Sequence, residues 1–147
     1  MRLLAGIFFV FFCAAALAAD ARKTVYVQFI WATDQAQPTG KTYRAVGPKL
    51  GKKLSPVFRW KHYWEIEQKK IQLHPSKTTR VNLPKQRRIE IEFIKPDDME
   101  IRLFRRSGLV TKTRQAVNGR MAILGGEEDS RNYFFVVVRS DEPGKGE

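Results

Sequence analysis

Side-chain catalysis needs a nucleophile, a base and a group to orient them, and this chain of 147 residues offers few of each. Its single cysteine, Cys13, lies inside an apolar run near the start. His62 and His74 are the only imidazole bases. His62 falls in an aromatic stretch, where a packed, hydrogen-bonded ring is the commoner outcome, and His74 precedes Pro75 at a turn. No Gly-x-Ser-x-Gly elbow is present. Gly125-Gly126 follows neither the dinucleotide nor the P-loop spacing. A two-histidine metal site would need Glu65 and Glu67, at a spacing that matches no motif. Asp97-Asp98 could chelate a cation or act as paired carboxylates, but in a Lys-Pro-Asp-Asp turn such side chains more simply bond the turn backbone. Glu127-Glu128-Asp129 lacks EF-hand spacing, and Gly125–Ser130 reads as a mobile acidic loop. The expectation is no catalytic residue, cofactor or metal, with a small carboxylate-dependent hydrolase as the remaining enzymatic alternative.

One stretch stands out from this background. Phe58–Trp64 reads Phe-Arg-Trp-Lys-His-Tyr-Trp and holds two of the three tryptophans. It is either the aromatic floor of a core or a basic-aromatic binding surface. As a binding surface, Arg59 and Lys61 would form a rim with Tyr43 or Tyr63. The doublets Arg87-Arg88 and Arg105-Arg106 add charge near turns. Such surfaces hold anionic polymers by charge, with aromatic rings stacking on sugars or bases. The plainer alternative keeps Trp60 and Trp64 in the core and leaves the basic residues as a solvated face.

Positioning these residues falls to a chain of short strands. Thr24–Thr33 alternates Val25, Val27, Phe29 and Trp31 with Tyr26, Gln28 and Ile30, large residues on both sides. Asp34–Val46 reads as a loop around Pro38 and Gly40. Pro48 opens a short helix whose Leu50 and Leu54 share one face, and Ser55-Pro56 ends it. Phe58–Ile66 is expected as a strand with Phe58, Trp60, His62 and Trp64 on one side. A ladder follows: Ile71 and Leu73; Val81 and Leu83; Ile89, Ile91 and Phe93; Ile101 and Leu103. Turns at His74–Lys77, Pro84–Gln86 and Lys95–Asp98 separate its rungs. The polar alternates imply a sheet with one wet face. Leu109–Gln115 has the polarity of an edge strand. Asn118-Gly119 is a hairpin signal leading into Met121–Leu124. Tyr133–Val138 is apolar on both faces, as a doubly buried strand would be. The fold class is all-β: an antiparallel β-sandwich of seven to nine short strands with at most one short helix.

Address and charge bound the partners. Met1-Arg2, the apolar run Leu3–Leu17 and the small exit Ala18-Ala19 have the layout of a secretory signal peptide, cleaved after residue 18 or 19. Removing residues 1–19 leaves about 128, a size for one domain over 20–140, with 141–147 as a disordered tail. That mature chain has no cysteine, so it carries neither disulfides nor thiolate metal ligands. The net charge is +12 and uneven. Eleven Lys/Arg stand against Glu65 and Glu67 between Lys41 and Arg80, and six acids stand against three bases between Gly126 and Glu147. A basic front favours an anionic partner, and an exported address argues against intracellular nucleic acid.

In order along the chain, Pro48-Lys49-Leu50, the Phe58–Trp64 run, Ile71-x-Leu73, Val81-x-Leu83-Pro84, Ile89-x-Ile91, Leu124-Gly125-Gly126 and Tyr133–Val138 carry a resemblance. Over Lys49–Arg139 the chain resembles an uncharacterised type of small secreted bacterial β-sandwich protein. The resemblance implies a compact sandwich and an envelope location, and brings no known activity or catalytic residues.

The functional expectation is a secreted or periplasmic, non-catalytic binding domain that recognises an anionic envelope polymer or another envelope protein. A protein partner would dock by strand addition at Leu109–Gln115. The alternative is a structural subunit of an envelope assembly, its charge serving solubility alone. The candidate binding residues are Arg59, Lys61, Tyr63, Arg87, Arg88, Arg105 and Arg106.

Overall fold

The computed structural model describes residues 22–36, 43–118, 120–129 and 131–144. The expected signal peptide, Pro38, Gly40, Gly119 and residues 145–147 lie outside them. Among the described residues nine antiparallel strands form two sheets packed face to face, with one short helix, an all-β sandwich-like fold. Among the described residues no helix is long and apolar enough to cross a membrane.

The five-stranded sheet is built on β1 (Lys23–Thr33). Its order is β2 (Arg44–Ala45), β3 (His62–Leu73), β1, β9 (Asn132–Arg139), β8 (Ala122–Asp129). β1 and β9 are central, and their large residues on both sides are buried as the sequence requires. Val25, Val27 and Phe29 face the second sheet, while Ile30 and Ala32 face the other way. The four-stranded sheet runs β4 (Thr79–Leu83), β5 (Arg87–Lys95), β6 (Asp98–Arg105), β7 (Gly108–Ala116). Its inward residues Val81, Leu83, Ile89, Ile91, Met99, Ile101 and Leu103 close the main core against β1, β8 and β9. β7 takes the edge position expected of Leu109–Gln115.

The far face of the five-stranded sheet has its own cover. α1 (Pro48–Leu54) lays Leu50 and Leu54 onto Ile30, Phe135 and Val137, with Pro48 in its first turn. Phe58 and Trp60 continue this layer, and the Phe58 ring lies 4.4 Å from that of Phe135. The expected strand Phe58–Ile66 is therefore corrected. Its first four residues are an irregular cover, and β3 starts at His62 and runs on to Leu73 as one strand. Its polar run Glu67–Lys70 pairs in register with Tyr26–Phe29 of β1, and the register shifts at Ile66.

Gly125-Gly126 and the acids after it are also corrected from a mobile loop. β8 extends to Asp129, and Gly125 pairs with Phe135. A β-carbon at Gly125 would lie 2.7 Å from Tyr133 Cε1 and 3.2 Å from Phe135 Cδ1. The glycine is there so that two aromatic rings can lie across the strand. At the expected tail, Asp141 accepts from Arg139, which is buried, and from Lys49 Nζ at 2.6 Å. The Arg139 hydrogen bond, helped by Lys49, holds the Asp141 carboxyl far below the usual carboxylate range against the opposing effect of burial.

Candidate anion-binding site

The strand pairings bring two of the sequence's basic doublets together and leave the other candidates apart. β5 and β6 are antiparallel, with Arg87 opposite Arg105 and Arg88 opposite Phe104. The β4–β5 turn and the β6–β7 turn therefore lie at the same end of the four-stranded sheet. Arg106 N–H donates to Gln86 O at 2.8 Å, and Arg106 Nε donates to Gln86 Oε1 at 3.2 Å, so the two turns are tied side by side. Two clefts adjoin there. The larger, about 380 Å³, is lined by Asn82, Leu83, Gln86, Arg87, Arg88 and Arg106. The smaller, about 200 Å³, is lined by Lys85, Gln86, Arg105 and Arg106. Among the described residues no carboxylate lines either one.

Aromatic rings set the posture of the doublet on β5. Arg87 shares the inward parity of Ile89 and Ile91, and its guanidinium lies 4.7 Å from the Phe134 ring centroid and 5.8 Å from that of Phe29. Those two rings are stacked 5.1 Å apart. Arg87 is thus 4 % exposed and caps the open end of the core, a correction to its expected place on the surface. Arg88 points outward over Phe104 at 4.6 Å, with Glu90 3.3 Å from its Nε. A guanidinium spread on a ring has lost much of its rotamer freedom before any ligand arrives.

The backbone at the site is strained. Lys85, Gln86 and Arg106 have φ of 60°, 56° and 55°. They are the only non-glycine residues with positive φ among those described. Arg105 pairs with Gly108, so Arg106-Ser107 is a two-residue hairpin loop with positive φ at its first position, where glycine is the usual choice. Each left-handed non-glycine residue costs about 1–2 kcal/mol relative to a relaxed backbone.

The other candidates fall on the far side of the five-stranded sheet. Tyr63 was expected on an exposed rim. It is 9 % exposed and packed in the cover layer, its hydroxyl donating to Phe58 O at 3.0 Å. Burial pushes its phenol pKa up. Alternation along β3 sends Tyr63 toward Phe135, because Trp31 pairs with Trp64 on the opposite face. Arg59 and Lys61 are exposed beside Phe58 and Trp60, which pack into that layer, so a sheet separates them from the clefts. His62 stacks on Trp64 with centroids 5.8 Å apart. Among the described residues no group of three or more His, Cys, Asp or Glu gathers in a way that could hold a metal.

Asn82, Lys85 and Gln86 were not foreseen. The arginine doublet directly after the Pro84–Gln86 turn was the available signal. A second polar cavity, about 100 Å³, lies on the helix side between Gln28, Arg44, Glu65 and Gly144. Arg44 and Gln28 occupy both oxygens of Glu65 there, each at 2.5 Å. No family model matches the chain, nor does any curated protein or solved structure. Function is therefore argued from the site.

Proposed function

We propose that the protein is a non-catalytic, exported binding domain that recognises an anionic envelope component through the clefts between its β4–β5 and β6–β7 turns. One observation carries this reading: Lys85, Arg87, Arg88, Arg105 and Arg106 converge on adjoining clefts that no described carboxylate lines. The exported address rests on the Met1–Ala19 pattern and on the resemblance over Lys49–Arg139. The test is retention on immobilised heparin as salt rises. Attraction without a formed site fades near physiological salt, where the Debye length is about 8 Å. The parent should elute well above that point, as should a variant with Arg59 and Lys61 changed to alanine. A variant with Lys85, Arg88 and Arg106 changed to alanine should elute near it. Early elution of the parent would end the proposal.

A second reading, a structural subunit of an envelope assembly, is favoured by Leu109 and Val110, which are 53 % and 43 % exposed on edge strand β7. A complex that survives high salt and is lost on Leu109→Lys would support it.

A further inference from the structure

All three strained residues line the clefts, and two of them, Gln86 and Arg106, line both. Non-glycine strain confined to one site marks a backbone held for what its side chains do there. Gln86 Oε1 accepts a hydrogen bond from Arg106 Nε, which orients the guanidinium at the boundary between the clefts. The larger cleft adds the Asn82 and Gln86 amides and the apolar Leu83 to its cations. That mixture suits a sugar ring with hydroxyls and a charged substituent better than a bare oxyanion. At about 380 Å³ the larger cleft has room for more than one oxyanion.

We infer that the two clefts take successive charged units of one linear anionic polysaccharide, with Arg106 as the shared wall and Gln86 as the residue that positions it. This rests on the anion-binding reading and names its ligand class. Charged groups on one chain bind the second cleft at high effective concentration, so chain length should raise affinity steeply. Carboxylated and sulfated glycans share this chemistry, and the experiment separates them.

The experiment is calorimetric titration of the full chain with inorganic phosphate, a heparin-derived octasaccharide, an octagalacturonate and an oligo(dT) of matched charge. Gln86→Gly and Arg106→Gly are titrated beside the parent, and each melting temperature is recorded. The parent should bind the better glycan at least about a hundredfold more tightly than phosphate, and more tightly than oligo(dT). The preferred glycan identifies the charged group. Both glycine variants should melt a few degrees higher through relief of positive φ, yet bind the glycan about tenfold more weakly. Arg106→Gly should also flatten the salt dependence by about one counterion. Gln86→Gly removes no charge and should leave that slope alone, which marks a positioning role. Glycan binding no tighter than phosphate or oligo(dT), or glycine variants that bind like the parent, would overturn the inference, while retention of the parent on heparin would still uphold anion binding. No binding to any probe would overturn both.

Discussion

The two sheets meet the problem of a second face in opposite ways. The five-stranded sheet buries it: α1, Phe58, Trp60 and Tyr63 lie over Ile30, Phe135 and Val137. The four-stranded sheet leaves it wet and balances it with charge. Glu90 has Arg80, Arg88 and Arg102 within 3.8 Å, and Glu100 accepts from Arg114 at 2.8 Å. One sheet gains stability from removing apolar surface from water, the other from mutual pairing in a partly exposed lattice. The lattice reaches the basic turns at the end of that sheet through Arg88, which pairs with Glu90.

Substitutions should separate the two sheets clearly. Phe135→Ala removes a fully buried ring and should cost about 3–5 kcal/mol in urea unfolding, read as a midpoint shift at constant slope. Gly125→Ala forces a β-carbon against Tyr133 and should cost about 1–3 kcal/mol. Glu90→Gln on the wet face should cost about 1–2 kcal/mol, shrinking as salt rises, because its partners are partly exposed. If Glu90→Gln cost as much as Phe135→Ala, the contrast between the sheets would fail.

The smallest effect is a titration. The Arg114 hydrogen bond, with the charges of Arg114, Lys112 and Arg102, holds the Glu100 carboxyl below its ordinary pKa against the effect of desolvation. A depressed folded pKa gives stability that is present above the unfolded-state value and lost as pH falls through the folded one. Stability should thus begin to decline near the ordinary carboxylate pKa and continue downward. Arg114→Ala should move the Glu100 midpoint up, as read from its carboxyl carbon by NMR. An unmoved midpoint would remove Arg114 from the lattice.

The same contrast explains what could be read from the sequence. Strict alternation in β4, β5 and β6 disclosed a sheet with one wet face, and the apolar runs of β1 and β9 disclosed strands covered twice. Pro48, Leu50 and Leu54 disclosed the helix. Phe58–Trp64 misled because its rings obey a strand's parity, yet Phe58–Lys61 precede the strand and drape over the sheet. Arg87 could have been placed correctly, since it keeps the parity of Ile89 and Ile91. The site as a whole could not. It depends on which turns lie side by side and on left-handed backbone at Lys85, Gln86 and Arg106, where no glycine or asparagine announces it.

The ion pair of Lys23 with Asp97, 2.9 Å, ties the first strand to the β5–β6 turn, at the end of the sheet opposite the basic turns. Gly144 lies on the helix side, against Gln28 and Glu65. Both points lie away from the clefts. A tag, a fused partner or a surface attachment at Lys23 or Gly144 would work as a handle and leave the β4–β5 and β6–β7 turns presented outward.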